Sequence, residues 1–359
     1  MKTLAHLQEY TLTLTALSPV FVGSGDSYQK TEYLFDPSRK QVSFVDKNRF
    51  FRFLLENDLT DRYEAFILGP GNKNLSAFLK HTCRLSEEQI GSFTGKSVSA
   101  ADAIDESHSL KEIQAFAKLP DGRAYIPGSS VKGCLRTVLL TDMLLRDTML
   151  DRTDSSDSKW AEHLEEQYLH TLHCTSKQSN AVNSIMRGLA ISDSAPIDEE
   201  DMILCGKIDL LINNEENVIN VVRQCVAPGT KISFQITLDQ SVLKNEITLE
   251  SIQTAIDCFD SFYRKTYNAK FPQPSAYDTA DSFLILGGGS GFFSKNLIYP
   301  FYKDTPQKAV KEVSHILSRS FKKHGHENDH NIGISPHTQK LTEYMGEEYA
   351  LGLCRVELS

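Results

Sequence analysis

The sequence predicts an α+β fold, because strand-like and helix-like patterns of apolar residues occur in separate stretches of the chain. Residues 10–17 alternate, with tyrosine, leucine and alanine on one face and threonines on the other. Residues 231–238 alternate in the same way, which is typical of a half-buried strand. Residues 247–267 instead place Ile252, Ile256 and Phe259 at the spacing of one helix face. Two clear strands and one long helix therefore indicate an α+β protein.

The other elements follow from the same two patterns. Residues 30–36 and 41–46 predict a hairpin around a Pro-Ser-Arg-Lys turn, and residues 47–56 predict a short helix. Residues 57–120 look mainly helical and polar, and we interpret them as an inserted, mostly α segment. A further helix is expected at 160–173, and further strands at 186–194, 207–211, 218–226, 283–286 and 350–358.

Length and composition limit the class of protein. A chain of 359 residues can bury a large core as one large or two medium domains. No apolar run has the length of a membrane span and the N-terminus has no signal-peptide pattern, so we expect a cytoplasmic protein whose seven scattered cysteines are reduced. The net charge of −9 argues against a non-specific nucleic-acid binder. Any RNA site would have to be a local basic groove on an acidic protein.

The stretch from Ile126 to Thr137 predicts an extended entry, a tight turn and a helix. Pro127 favours extended geometry before it, and Gly128 permits a positive φ at the turn. Ser129 or Ser130 is expected as the N-cap. The helix would then bring free N–H groups, hydroxyls and cations to one place, which is what a phosphate requires. Gly133 lies between two cations, Lys132 and Arg136, that are four residues apart. The residues of this predicted site are Gly128, Ser129, Ser130, Lys132, Gly133 and Arg136. A well-capped core helix with two solvated charges is the alternative.

A second glycine-rich stretch follows the predicted strand at 283–286. Four of its first five residues are glycine, and such a run usually allows close approach of the backbone to a ligand such as a phosphate. One of the two phenylalanines is a candidate for stacking on a base, and the lysine is placed to meet backbone charge. The alternative is a strained turn whose phenylalanines return to the core. The residues are Gly287, Gly288, Gly289, Gly291, Phe292, Phe293 and Lys295. The stretch has no Gly-Lys-Ser/Thr, so nucleotide hydrolysis is not expected.

A third turn, Gly23-Ser24-Gly25, follows the first strand and a Ser-Pro pair. Together, these motifs resemble the RAMP proteins of CRISPR systems. Residues 126–136 match the RAMP signature Ile-Pro-Gly-Ser-Ser-Leu-Lys-Gly-x-x-Arg with Val131 in place of leucine, and the Gly-Gly-x-x-Gly-Phe-x-x-Lys run and the opening turn are also RAMP features. The order of the motifs and the length resemble the type III-A (Csm-complex) RAMP proteins that cap the CRISPR RNA toward its 3′ end.

The resemblance implies a fold and a set of partners. The fold would be two ferredoxin-like (RRM-like) RAMP halves, residues 1–200 with a helical insertion at about 57–120 and residues 201–359 with the glycine-rich loop. Each half offers a hairpin, a helix and a Gly-rich turn leading to a lysine. The three turns would bind CRISPR RNA by its backbone, without catalysis or a cofactor. The partners would be CRISPR RNA, the backbone RAMP subunit, the small helical subunit and a host nuclease for 3′ trimming, with no membrane.

Two alternatives stay open at this point. A metal-independent endoribonuclease would need a general base, for which His6 and His108 are candidates by elimination only. Another RAMP subunit, such as the one that holds the 5′ handle, would share the same turn chemistry. Two groups of histidines, at 163–173 with Cys174 and at 324–337 with Asp329, lack recognised metal-ligand spacing. We interpret both groups as solvated, the second in a flexible loop, and we expect no metal.

Overall fold

The computed structural model describes residues 6–71, 73–104, 110, 112–150, 159–272 and 281–359. The strands form three sheets, with orders β11-β14-β1-β10-β7, β13-β12-β8-β9-β6-β2 and β3-β4-β5, called here the first, second and third sheets. The strands are β1 (Leu7–Ala16), β2 (Gly23–Tyr28), β3 (Tyr33–Asp36), β4 (Gln41–Val45), β5 (Thr94–Ser99), β6 (Ile113–Phe116), β7 (Leu189–Ile191), β8 (Met202–Leu211), β9 (Glu216–Val226), β10 (Lys231–Asp239), β11 (Phe283–Ile285), β12 (Thr338–Tyr344), β13 (Glu347–Ala350) and β14 (Leu353–Leu358).

The helices join the strands and cover the sheets. The largest are α5 and α8, which pack against each other and contribute to the same apolar core as both large sheets. The helices are α1 (Lys47–Glu56), α2 (Thr60–Leu68), α3 (Leu75–Ala77), α4 (Glu87–Gly91), α5 (Gly128–Arg146), α6 (Trp160–Leu169), α7 (Gln240–Leu243), α8 (Leu249–Thr266), α9 (Ile298–Phe301), α10 (Pro306–Ser320) and α11 (Asp329–Ile332). Among the residues that the structure describes, no helix is both long enough and apolar enough to span a bilayer.

The first sheet has the strand order of a ferredoxin-like unit. The chain runs β1–α5–β7–β10–α8–β14, and these four strands lie in the order β14-β1-β10-β7, with every neighbouring pair antiparallel. Strand β11 is added outside β14. Because β1 pairs with strands near residues 235 and 356, the sheet does not divide at the predicted boundary at residue 200. The arrangement in two ferredoxin-like halves stays a prediction.

The predicted insertion at 57–120 is helical only in part. Helices α1 to α4 enclose a small apolar cluster of their own, in which Phe50 and Phe93 are buried. From residue 94 the interpretation is wrong, because β5 pairs with β4 in the third sheet and β6 pairs with β9 and β2 in the second. In β6, Ile113 and Ala115 are buried in the alternating manner of a strand.

The histidine-containing run at 324–337 is also different from the prediction. It forms a 3₁₀ turn at His326–Asn328 followed by α11, and both His326 and Asp329 are buried. The interpretation as solvated histidines is therefore wrong for His326 and His337, which hydrogen bonds to Asp329 hold against the core, whereas His324 and His330 are exposed as predicted.

Candidate nucleic-acid interface

The three glycine-containing stretches of the sequence meet at one cleft. This cleft, of about 510 Å³, lies between the first half of α5, the start of β2 and the glycine-rich loop after β11. Seven of the predicted site residues line it: Gly23, Ser130, Gly133, Arg136, Gly287, Gly288 and Lys295. We refer to it below as the glycine cleft.

The cleft carries positive charge. Arg136 and Lys295 are its cations, and none of the described residues that line it is acidic. The Nζ of Lys295 donates a hydrogen bond to the carbonyl of Gly287, which fixes the lysine across its own loop. Desolvation lowers the pKa of Lys295, although the residue as a whole is exposed. Arg136 donates to Glu165 of α6 at 3.0 Å, and both side chains are partly exposed.

One face of α5 forms the wall of the cleft. Ser130, Gly133, Cys134 and Thr137 follow the i, i+3, i+4, i+7 spacing of a single helix face. The Sγ of Cys134 donates to the carbonyl of Ile285, and burial raises the pKa of this thiol to about 12, so the thiol is uncharged at neutral pH. The wall therefore offers hydroxyls and a bare glycine backbone beside the two cations.

The start of α5 is built differently from the prediction. The helix begins at Gly128 itself, and Pro127 is its N-cap residue without a side-chain cap. The Oδ1 of Asp193 accepts the N–H of Gly128 at 2.9 Å, and the N–H of Ser130 donates to the carbonyl of Pro127. Ser129 and Ser130 are thus not N-caps, and two of the N–H groups that we expected to be free are already satisfied.

Gly128 is a glycine because a side chain would not fit at this position. A Cβ at this position would lie 2.3 Å from the carbonyl oxygen of Ile191 and 2.4 Å from that of Ser192. The residue has helical geometry, so the predicted positive φ is wrong. The start of α5 therefore packs directly on the end of β7, and the loop that follows β7 supplies Asp193.

The glycine-rich loop is fixed by the connection between β1 and β2. Gly287 has a φ of +84°, and the N–H of Gly288 donates to the carbonyl of Phe21 at 2.6 Å. Gly289 and Gly291, with φ of +78° and +90°, face Leu351, Arg223 and Lys340 rather than the cleft. Close approach within the protein explains the glycines at 287 and 289, where the sequence pattern suggested close approach to a ligand.

Several predicted residues lie outside the lining of the cleft. Lys132 is half-buried, and burial lowers its pKa. It does not line the cleft, although Arg136, four residues further along the helix, does. Phe293 is buried, with ring centroids 4.4 Å from Tyr299 and 4.7 Å from Tyr267, so its role as a base-stacking residue is wrong. The others outside the lining are Ser24, Gly25, Gly128, Ser129, Gly289, Gly291 and the half-buried Phe292.

Arg223 is a residue that the sequence analysis missed. It lies on β9 beneath Gly289, where its Nε donates to Gln114 at 2.9 Å and its guanidinium lies 5.6 Å from the ring of Phe21. Its Nη1 is buried, and no described residue forms a hydrogen bond with it. Burial lowers the pKa of Arg223, and a cation placed here adds to the positive field under the loop.

The comparison with known proteins decides the family. A family model described as the RAMP superfamily matches residues 13–340 of the 359. The chain belongs to the RAMP superfamily. The resemblance seen in the sequence motifs is therefore confirmed.

Individual RAMP relatives are similar over nearly the whole chain. The CRISPR system Cms protein Csm5 of Mycobacterium tuberculosis is 26% identical, and the match covers 98% of each chain. The protein of the same name from Streptococcus thermophilus is 26% identical over 80% of each chain.

Two solved structures share the fold. A chain of the cryo-EM structure of a Csm–crRNA–target RNA ternary complex from a type III-A CRISPR-Cas system has a TM-score of 0.68, with 97% of this chain and 100% of that chain covered. The crystal structure of T. onnurineus Csm5 has a TM-score of 0.63, with 96% and 99% covered. Each is 18% identical to this chain, so this likeness concerns the fold alone.

Proposed function

We propose that this RAMP protein is a non-catalytic subunit of a type III-A Csm complex that binds CRISPR RNA and caps the 3′ side of the backbone filament. The relatives named Csm5 and the fold shared with a chain of a Csm–crRNA–target RNA complex support this assignment. In this role the protein supports CRISPR RNA maturation and antiviral defence. Its neighbours are the backbone RAMP subunit and the small helical subunit, and a host nuclease trims the 3′ end.

The glycine cleft is the observation that carries the proposal. Three stretches that are far apart in sequence bring bare backbone, hydroxyls, Arg136 and Lys295 to one cleft without an acidic residue in its described lining. A site of this kind binds phosphates in any base sequence, because phosphate contacts carry no sequence information. This matches the need of a subunit that must accept RNA of many sequences.

The ion pair between Arg136 and Glu165 does not block the site. Its side chains are 48% and 34% exposed, and exposed pairs contribute only about 0–1 kcal/mol. A phosphate, with its charge-assisted hydrogen bonds, displaces such a carboxylate readily. In the absence of RNA, Glu165 of α6 holds the Arg136 side chain in place.

Catalysis has less support than binding. No histidine is among the described residues that line the cleft, His6 precedes β1 outside that lining, and His108 lies outside the described residues. A role at the 5′ handle would use the same turn chemistry at the other end of the RNA. Locating the subunit on an RNA of known polarity therefore separates the 3′-cap role from the 5′-handle role.

Reconstitution of the complex tests the proposal. The Csm complex is purified with wild-type chain, with Arg136→Ala plus Lys295→Ala, and with Lys308→Ala as the control, an exposed lysine of α10 outside the cleft. We expect the double variant to retain less CRISPR RNA, with shorter and more varied 3′ ends, and the control to match the wild type. Full-length RNA at wild-type yield in the double variant contradicts the site, and altered 5′ ends alone support the 5′-handle role.

A further inference from the structure

Two histidines are held by one buried carboxylate at the edge of the second sheet. The Oδ2 of Asp329 accepts from the Nδ1 of His326 at 3.0 Å, and its Oδ1 accepts from the Nδ1 of His337 at 2.6 Å. The hydroxyl of Ser335 also donates to Oδ2. Asp329 has no exposed surface, and these three donors stabilise its carboxylate.

The protonation state of the two imidazoles follows from the carboxylate. Carboxylate oxygens accept hydrogen bonds, and the two oxygens of Asp329 face the hydroxyl of Ser335 and both Nδ1 atoms. Each Nδ1 is therefore assigned the hydrogen. In the neutral imidazole this leaves the lone pair on Nε2.

The two rings are spaced like metal ligands. Their centroids are 4.7 Å apart. Two imidazoles on one tetrahedral zinc, with Zn–N bonds of about 2.0–2.1 Å, have centroids about 5 Å apart. The ring of the exposed His324 lies 6.3 Å from that of His326, which makes it the candidate for a third imidazole ligand.

The Nε2 atoms of the pair are available to a ligand. Within the part of the chain that the structure describes, neither has a hydrogen-bond partner. The side chains of His326 and His337 keep 9% and 14% of their surface exposed, so a hydrated ion can reach them. Two hydrogen bonds hold the loop in place: the hydroxyl of Tyr299 donates to the carbonyl of Ser335 at 2.6 Å and accepts its N–H at 3.0 Å.

We propose that His326 and His337 bind a divalent transition metal of the zinc class through Nε2, with His324 as the third ligand and water as the fourth. Imidazole suits zinc, and metal-bound histidines commonly donate their other ring N–H to a carboxylate that fixes their orientation, as Asp329 does here. The metal ties the segment that contains α11 to the start of β12. This site is separate from the glycine cleft and does not depend on the proposed function.

Zinc titration of the purified full-length chain tests the site. The protein is stripped with a chelator, titrated with ZnCl₂ by calorimetry and with CoCl₂ by visible absorption, and examined by circular dichroism. The variants are His337→Gln, His326→Gln and His324→Ala. His330→Ala is the control, since His330 is exposed in the same segment and its Nδ1 contacts the backbone carbonyl of Glu327 instead.

The expected outcome is one zinc per chain and tetrahedral cobalt absorption for the wild type and for His330→Ala. We expect His337→Gln and His326→Gln to weaken binding by at least about 100-fold, and His324→Ala by about tenfold. If the buried His326→Gln variant fails to fold, the less buried His337→Gln and the exposed His324→Ala still test the ligand set. A wild-type chain that binds no zinc at one equivalent overturns the proposal, as does wild-type affinity in folded His337→Gln.

Discussion

Gly287 packs against the backbone of Phe21 so closely that a Cβ on it would lie 2.1 Å from the carbonyl oxygen of Phe21. Its φ of +84° is also unfavourable for any other residue. The glycine-rich loop is thereby fixed on the connection between β1 and β2. Lys295 and Gly23 both lie in the lining of the cleft beside this contact.

We expect Gly287→Ala to lower the free energy of unfolding by about 3 kcal/mol, because it combines backbone strain with a clash against backbone atoms. Gly25→Ala is the matched control: its φ is +92°, but a Cβ there would meet nothing within 4 Å. The control is expected to lose only about 1 kcal/mol. Urea denaturation of both variants measures the difference, and equal losses would show that the contact with Phe21 is unimportant.

Substitutions at Gly133 distinguish effects on protein stability from effects on RNA binding. It lies inside α5 and lines the cleft, and a Cβ on it would meet nothing within 4 Å. Glycine in a helix interior costs about 1 kcal/mol relative to alanine. We therefore expect Gly133→Ala to stabilise the protein by about 0.5–1 kcal/mol, and Gly133→Leu to leave it at least as stable as the wild type.

The same two variants are expected to weaken RNA binding in the order of their size. In the proposed site, Gly133→Leu would fill space meant for the RNA backbone, so we expect roughly a tenfold or greater loss of affinity by fluorescence anisotropy, with a smaller loss for Gly133→Ala. Stable variants that bind RNA with wild-type affinity would contradict RNA binding at the glycine cleft.

A cluster of glutamates predicts a pH dependence of stability. Burial raises the pKa of Glu348, and the neighbouring Glu216 and Glu343 raise it further. Glu348 therefore stays protonated to a higher pH in the folded state than in the unfolded state. The stability that its protonated carboxyl contributes is present below the pKa of the unfolded state and is lost as the pH rises through the pKa of the folded state.

The substitution Glu348→Gln removes the carboxylate and therefore the loss of stability at higher pH. We expect the variant to be more stable than the wild type at pH 7, by a few tenths to about 1 kcal/mol, and to show no advantage near pH 4. Denaturant midpoints at several pH values measure it. A constant difference between pH 4 and pH 7 would mean that repulsion among the three carboxylates has no role.

Local patterns predicted those elements in which burial alternates clearly. Strand β10 is close to its predicted bounds, because its buried apolar residues alternate with more exposed residues. The hairpin β3–β4 and helix α1 are also close to their predicted bounds. Strand β6 was missed, since it is four residues long and forms only by pairing with distant β9 and β2. No local signal indicates such a pairing.

The site was predictable to a similar degree. Glycine runs and nearby cations correctly indicated the segments that form the cleft, and the helical spacing of Ser130, Cys134 and Thr137 would have shown that Lys132 lies off the cleft face. The partners of the glycines were not predictable, because Phe21, Asp193 and Arg223 meet these glycines through tertiary packing only. The pairing of His326 with His337 depends in the same way on Asp329, which lies between them in sequence.

The salt dependence of RNA binding tests the central claim most directly. Binding of single-stranded RNA is measured from low to physiological salt for the wild type, Arg136→Gln plus Lys295→Gln, and the control Lys308→Gln. Each lost phosphate contact reduces the slope of log K against log salt concentration by about 0.7, so we expect the double variant to be shallower by about 1.4 and the control to be unchanged. An unchanged slope in the double variant would contradict phosphate binding by the glycine cleft.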